Sequence, residues 1–209
     1  MSTGINIYLD LDETLIYSID TSRKKVLPPY IDKFTHHNFE NEYMILERPG
    51  LQKFLTWLFK YFNVSVWSAA SPDYVRFIVK KIIIGKTDRK VQRVLDSTTC
   101  EKSQRLYGEN CLKKLQMLWE YYKLPRHNVD NTILLDDLWL NIRAQPDNSM
   151  RIKKFQGKED SIDDKELDKI KDKLKDVLAN FKTKRVIDKS PAKIKKVAKV
   201  WRVITVFGI

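Results

Sequence analysis

The sequence predicts a three-layer α/β sandwich built on a central parallel sheet, and three observations support that fold class. Short apolar runs recur at 5–9, 64–67, 133–135 and 150–155, the pattern of strands buried on both faces. Segments with apolar residues at helical spacing separate them, so strands and helices alternate as parallel sheets require. Two of the runs end in paired carboxylates, and ligands of open parallel sheets sit beyond the carboxyl ends of strands.

The first strand, 5–9, gives way to Asp10, Asp12 and Thr14 where it should meet solvent. Residues 19–46 fit no simple crossover. They hold Lys24-Lys25, Pro28-Pro29 and His36-His37 and close on a strand-like stretch at 43–46. The first helix follows Arg48-Pro49-Gly50 and carries Leu51, Phe54, Leu55, Leu58 and Phe62. The second strand, 64–67, runs into Ser68-Ala69-Ala70. Ser71 as a cap and Pro72 in the first turn then open a helix with Tyr74, Phe77, Ile78 and Ile82 on its apolar face. A polar stretch at 84–110, with a short apolar run at 91–95, reads as a second insertion. Both insertions would wall a substrate cleft, and surface loops without a role would look the same. A third helix is expected at about 112–122, ahead of Leu124-Pro125. The third strand, 133–135, ends in Asp136-Asp137, and a fourth follows at 150–155. A helix at 163–178, with Leu167, Ile170, Leu174 and Leu178 on one face, is expected to pack on the sheet.

Four of these places bear chemistry. Asp10 and Asp12 repel one another unless a cation or proton is shared, which suits a nucleophile and a general acid around a hard divalent metal. Ser68 offers a hydroxyl, and with the backbone N–H groups at the following helix start it forms a phosphate site. Lys113 or Lys114 would neutralise phosphate oxygens as a point charge. Asp136 and Asp137 add an oxygen-only pair of the kind Mg²⁺ takes. Each also has an ordinary reading. The carboxylates and Ser68 would serve as turns or caps, and a lysine in a chain with 39 Lys and Arg would be a solvated surface residue.

In their order along the chain, the four places resemble the motifs of haloacid dehalogenase (HAD) superfamily phosphatases. They are closer still to the FCP/SCP branch, the phosphatases of the RNA polymerase II C-terminal domain and related phosphoproteins. The resemblance spans about residues 5–178. It rests on Asp10-Leu11-Asp12-Glu13-Thr14-Leu15, Glu47-Arg48-Pro49-Gly50-Leu51, Trp67-Ser68-Ala69, Cys111-Leu112-Lys113-Lys114-Leu115 and Leu135-Asp136-Asp137, with Gln145-Pro146-Asp147-Asn148 behind. It implies a Rossmann-like sandwich with small insertions in place of a large cap, and a Mg²⁺-dependent phosphoserine/threonine protein phosphatase. Asp10 would attack phosphorus to give an aspartyl-phosphate, while Asp12 protonates the leaving oxygen and then takes a proton from water. Ser68 and Lys113 would hold the phosphoryl oxygens, and Thr14, counted with them as phosphate-binding, would fix the loop geometry beside them. Mg²⁺ would be held by Asp10, the backbone carbonyl of Asp12, and Asp137 with Asp136 nearby. The chain departs from the branch pattern at Asp137, where an Asn is usual, and at Ser68, where Thr is common. It also lacks an Arg in 95–100, although Arg105 is near. Two other readings are a nucleic-acid 3′-phosphatase or small-molecule phosphatase, and a catalytically silent adaptor. Intact Asp10, Asp12 and Asp137 argue against the adaptor, because a binding scaffold has no need to hold repelling carboxylates together.

The totals frame these readings. With 209 residues, 43% of them hydrophobic, the chain can bury one full core. Two cysteines, Cys100 and Cys111, argue against a disulfide framework and fit a reducing compartment. No stretch resembles a signal peptide or a membrane span, so an intracellular protein, nuclear or cytoplasmic and not secreted, is expected. Of the net charge of +12, the segment from Lys182 onward holds +8, nine Lys or Arg against Asp188. The expected division is therefore a phosphatase domain at 1–180 and a basic tail at 181–209. Ile194, Val197, Trp201 and Ile204 share one face of the tail, with Lys195, Lys199 and Arg202 opposite. Such a helix would contact nucleic acid, an acidic partner or an anionic membrane surface, or dock on the body through Trp201.

Overall fold

A computed structural model describes residues 4–22 and 27–189, with side chains described as far as 181. In chain order the elements are β1 (Asn6–Leu9), β2 (Ile16–Asp20), β3 (His36–Phe39), β4 (Tyr43–Glu47), α1 (Leu51–Tyr61), β5 (Asn63–Trp67) and α2 (Pro72–Ile78). There follow β6 (Val94–Leu95), α3 (Ser97–Tyr107), α4 (Gln116–Glu120), β7 (Thr132–Asp136), α5 (Trp139–Arg143), β8 (Ser149–Arg151) and α6 (Glu166–Lys189). The chain divides into two compact units, Met1–Lys173 and Leu174–Ile209. The site lies in the first.

The central sheet has the order β6-β5-β1-β7-β8, and every pair in it is parallel. Its middle strand, β1, is buried along its whole length, which is why apolar side chains stand on both its faces, with Asn6 the one polar residue in 5–9. Tyr8, Trp67 and Leu134 point to one face and pack with Cys100, Leu115, Met117 and Leu118. On α1, Leu51, Phe54, Leu55 and Leu58 are buried and the helix packs against β5. This is the helix-flanked parallel sheet that the sequence predicts. Its carboxyl edge brings the ends of β1, β5 and β7 side by side, because β1 pairs with both neighbours in register.

Several expected elements differ. Residues 16–47 are not a loop with one strand but a second, antiparallel sheet, β2-β4-β3. Phe34, Leu46 and Phe155 pack beneath it. The polar stretch at 84–110 contains the helix α3, capped by Asp96, whose carboxylate accepts from Thr98 N. The third helix is shorter than expected, Gln116–Glu120, because residues 111–115 are turns that deliver Lys113 to the sheet edge. The last strand stops at Arg151, and 152–158 is irregular. Ser71 makes no side-chain cap to α2, and α2 continues into a π-helical turn, Val79–Ile84. The final helix starts at Glu166, with Leu167 and Ile170 buried. The amphipathic segment at 192–207 lies outside the described residues. Among the described residues no helix is long and apolar enough to cross a membrane.

Candidate active site

β1 ends at Leu9, and the next five residues form a tight loop held by its own backbone. Leu15 N donates to Leu11 O at 2.8 Å, and Glu13 takes a left-handed φ of 61°. A non-glycine residue rarely adopts that conformation, and here Phe155 N holds it by donating to Glu13 O at 2.6 Å. The fold adds a second fastening. Arg48, 1% exposed, donates from Nη1 to Thr14 O at 2.8 Å, and its other nitrogens grip Asp164 at 3.0 and 2.9 Å. The carboxylate loop is thus fixed from the strand side, from 152–158 and from the start of α1.

Within that frame Asp10 is the hub. Lys113 Nζ donates to Asp10 Oδ1 at 2.5 Å and to Asp136 Oδ2 at 2.8 Å. Thr14 Oγ1 lies 2.7 Å from Asp10 Oδ2 and 3.2 Å from Asp137 Oδ1. One hydroxyl carries one proton, so the shorter contact to Asp10 takes it. Asp137 N donates back to Thr14 Oγ1 at 3.2 Å. Asp136 is fully buried and receives further bonds from Leu138 N and from Asn141 Nδ2 at 3.0 Å. Lys114, the alternative lysine, is turned away and donates to Ala144 O.

Asp12 stands apart from this cluster. Its Oδ1 accepts from Tyr74 Oη at 2.7 Å, with Ser18 Oγ at 3.5 Å. Burial, with the nearby Asp10 charge, pushes the Asp12 carboxyl up to about 6. Such a group holds a proton far more readily than a free carboxylic acid. Ser68 is buried at the end of β5 and accepts from Ala70 N at 3.0 Å. That N–H is therefore not free for a ligand as the sequence suggests, but the Ser68 hydroxyl proton is left to donate. Asp10, Asp12, Ser68, Lys113, Asp136 and Asp137 all line one cleft of about 200 Å³. Thr14 is buried behind it.

The acidic cluster fits a hard divalent cation. Asp10, Asp136 and Asp137 each present an oxygen, all within 4.8 Å of one another. Three carboxylates against the Lys113 ammonium leave two negative charges. Burial and the Asp10 charge push Asp136 up to about 6, and the same causes raise Asp137. Burial alone would lower the Lys113 ammonium, yet Asp10 and Asp136 outweigh it and keep it charged. An all-oxygen donor set of this charge matches the preferences of Mg²⁺.

Several residues of the site escape the sequence reading. Asn141, not singled out from the sequence, is 1% exposed and bonded to Asp136. Gln145 accepts from Leu115 N at 2.8 Å and donates to Lys113 O at 2.6 Å, so it sets the lysine turn. Lys154 lines the cleft mouth and pairs with Glu13. A polar residue amid Trp139, Leu140 and Ile142 was the available signal for Asn141. Nothing in the sequence singles out Lys154.

Comparisons with known proteins show the family and the fold. The family model described as NLI interacting factor-like phosphatase matches residues 5–186. The CTD phosphatase-like protein 355R of invertebrate iridescent virus 6 is 41% identical over 172 residues, covering 79% of this chain and 94% of the viral one. The ubiquitin-like domain-containing CTD phosphatase 1 of Drosophila melanogaster is 30% identical over 139 residues, 64% of this chain and 42% of its own. Among solved structures, that of Fcp1, an essential RNA polymerase II CTD phosphatase, superposes with a TM-score of 0.53 at 16% identity. It covers 92% of this chain, which spans 56% of the Fcp1 chain. At that identity the likeness speaks for the fold.

Proposed function

The chain belongs to the NLI interacting factor-like phosphatase family, and from that premise we propose a Mg²⁺-dependent phosphoserine/threonine protein phosphatase that works through an aspartyl-phosphate. The observation that supports it best is Asp10, fixed between Lys113 and Thr14 and facing the same cleft as Asp12. Asp10 attacks phosphorus, the bond from phosphorus to the substrate oxygen breaks, and Asp12 gives its proton to that oxygen. In the second half a water adds to phosphorus, Asp12 takes back a proton, and inorganic phosphate leaves Asp10. Lys113 has three N–H donors, two of them spent on Asp10 and Asp136, so the third is free for a phosphoryl oxygen. Ser68 donates a second bond to the same group. Asp10, the Asp12 backbone carbonyl, Asp136 and Asp137 would hold Mg²⁺, which supplies charge neutralisation as the phosphoryl group approaches the carboxylate.

The substrate we propose is a phosphorylated segment of the RNA polymerase II C-terminal domain or a similar phosphoprotein. The names of the viral and fly relatives support that choice. Hydrolysis of 4-nitrophenyl phosphate and of a phosphoserine peptide from that domain, with Mg²⁺ and with chelator, tests it. Turnover is expected to need the metal and to fall at least about 10³-fold in Asp10→Asn. Turnover that persists in the variant would overturn the covalent route. Turnover of the aryl phosphate alone would overturn the peptide substrate.

A further inference from the structure

Asp12 has two carboxylate oxygens in unlike surroundings. Oδ1 accepts from Tyr74 Oη at 2.7 Å and has Ser18 Oγ at 3.5 Å, and those two hydroxyls are themselves bonded. No described residue donates to Oδ2, and Asp12 lines the cleft. We propose that Tyr74 is a positioning residue for the reaction, its hydroxyl tying down Asp12 Oδ1 so that the transferable proton sits on Oδ2, facing the departing oxygen. The inference deepens the phosphatase reading and rests on it.

The tyrosine is well placed for that task. It sits on α2, 7% exposed, with its ring edge-on to Phe39 at 5.5 Å and to Tyr43 at 5.9 Å. Phe39 also meets Phe77 of α2 at 4.9 Å. Phe39 and Tyr43 belong to β3 and β4, and Ser18 to β2. The antiparallel sheet therefore grips the ring and supplies the second hydroxyl, which gives that insertion a part in the chemistry. A tyrosine phenol keeps its proton at neutral pH, so Tyr74 is an O–H donor to Asp12. A donor at Oδ1 serves the carboxylate left after proton transfer as well as the acid before it. In the transfer step the bond from phosphorus to the substrate oxygen breaks, the bond from phosphorus to Asp10 forms, and the Asp12 Oδ2 proton moves to the leaving oxygen. The Tyr74 proton stays where it is.

The test is the dependence of kcat/KM on the leaving group, which reports the step through loss of that group. Tyr74→Phe keeps the ring between Phe39 and Tyr43 and removes only the hydroxyl. Wild type, Tyr74→Phe and Ser18→Ala would be assayed on 4-nitrophenyl phosphate, phenyl phosphate and a phosphoserine peptide, beside thermal melts. Nitrophenolate leaves without help from an acid, whereas an alkoxide does not. Tyr74→Phe is expected to lose about 10–100-fold on the phosphoserine peptide and at most about 3-fold on the nitrophenyl ester, less than the roughly 10²–10⁴-fold of a whole general acid because Asp12 itself remains. Ser18→Ala should show the same selectivity, weaker. A loss of equal size on all three substrates, or no loss on any, would overturn the positioning role while leaving the phosphatase reading intact. Absence of Asp10-dependent turnover in wild type would take down both.

Discussion

Lys113 decides the charge balance of the site at the scale of single residues. Buried charges survive only when paired, and breaking a buried pair by removing one partner costs about 3–5 kcal/mol because the other charge is stranded. Lys113, 3% exposed, pairs with two carboxylates at once. Lys113→Met should therefore lower the urea midpoint of metal-free protein at pH 7.5 by an amount worth about 3 kcal/mol or more. Asp10→Asn should act in the opposite direction or not at all, because it removes one of three mutually repelling carboxylates. Midpoints that fall alike in both variants would contradict this balance. The lysine is also where sequence reasoning had least to work with. Lys113 and Lys114 are neighbours of one type in the chain, and it is the Gln145 and Ser103 bonds to the turn that set which of them reaches Asp10.

At the scale of elements, the segments around the carboxylate loop are as constrained as the loop. Gly157 has φ +58°, and a Cβ there would stand 2.6 Å from Tyr17 Cδ1 and 3.0 Å from Leu46 Cδ1. Backbone strain and that clash together should make Gly157→Ala destabilising by about 2 kcal/mol, read by chemical denaturation. The Arg48–Asp164 clamp adds a pH dependence. Burial would raise the Asp164 carboxyl, but the Arg48 bonds outweigh it and hold the carboxyl below its ordinary range. A depressed carboxyl contributes stability above its unfolded value and loses it as pH falls through its folded value. Asp164→Asn should thus be less stable than wild type at pH 7, with the gap closing below about pH 4. A gap that stays constant across that range would refute the linkage. The same elements show what the sequence reveals and what it hides. The strands β1, β5 and β7 are legible because burial on both faces leaves short runs that are mostly apolar, broken only by Asn6 and Ser65. The strands β2 and β3 are not, because Ser18, His36, His37 and Asn38 are half-buried or exposed and break any apolar run, and β2 pairs with β4 well over twenty residues further along the chain. The helix α3 hides for a similar reason. It buries Thr99, Cys100 and Ser103 and so carries no apolar period. Asp10, Asp12, Asp136 and Asp137 were legible at strand ends, whereas Tyr74 read only as part of an apolar face. A hydroxyl bond to another element leaves no trace in local pattern.

For the molecule as a whole, the cleft floor is a charge excess that Lys113 offsets only in part. Three carboxylates share one ammonium, and burial drives Asp136 toward protonation. A ligand that binds only the folded state and relieves this excess raises stability by mass action, about 2.7 kcal/mol at a hundred times its Kd. For a domain of this size 1 kcal/mol moves the midpoint by roughly 2–4 °C. Mg²⁺ added to chelator-treated protein should therefore raise Tm by about 5–10 °C at saturation. Asp137 is half-buried, and the Thr14 proton beside it goes to Asp10, so its carboxylate has an oxygen to spare for the metal. Asp137→Asn should lose most of the Mg²⁺ shift. It should leave the metal-free Tm unchanged or higher, because a repelling charge is gone. A defect in folding would lower both values, so the pair of melts separates a lost metal ligand from a damaged core. Equal shifts in wild type and variant would mean that Asp137 does not hold the ion, and the carboxylate pair at the end of β7 would then be a structural cap.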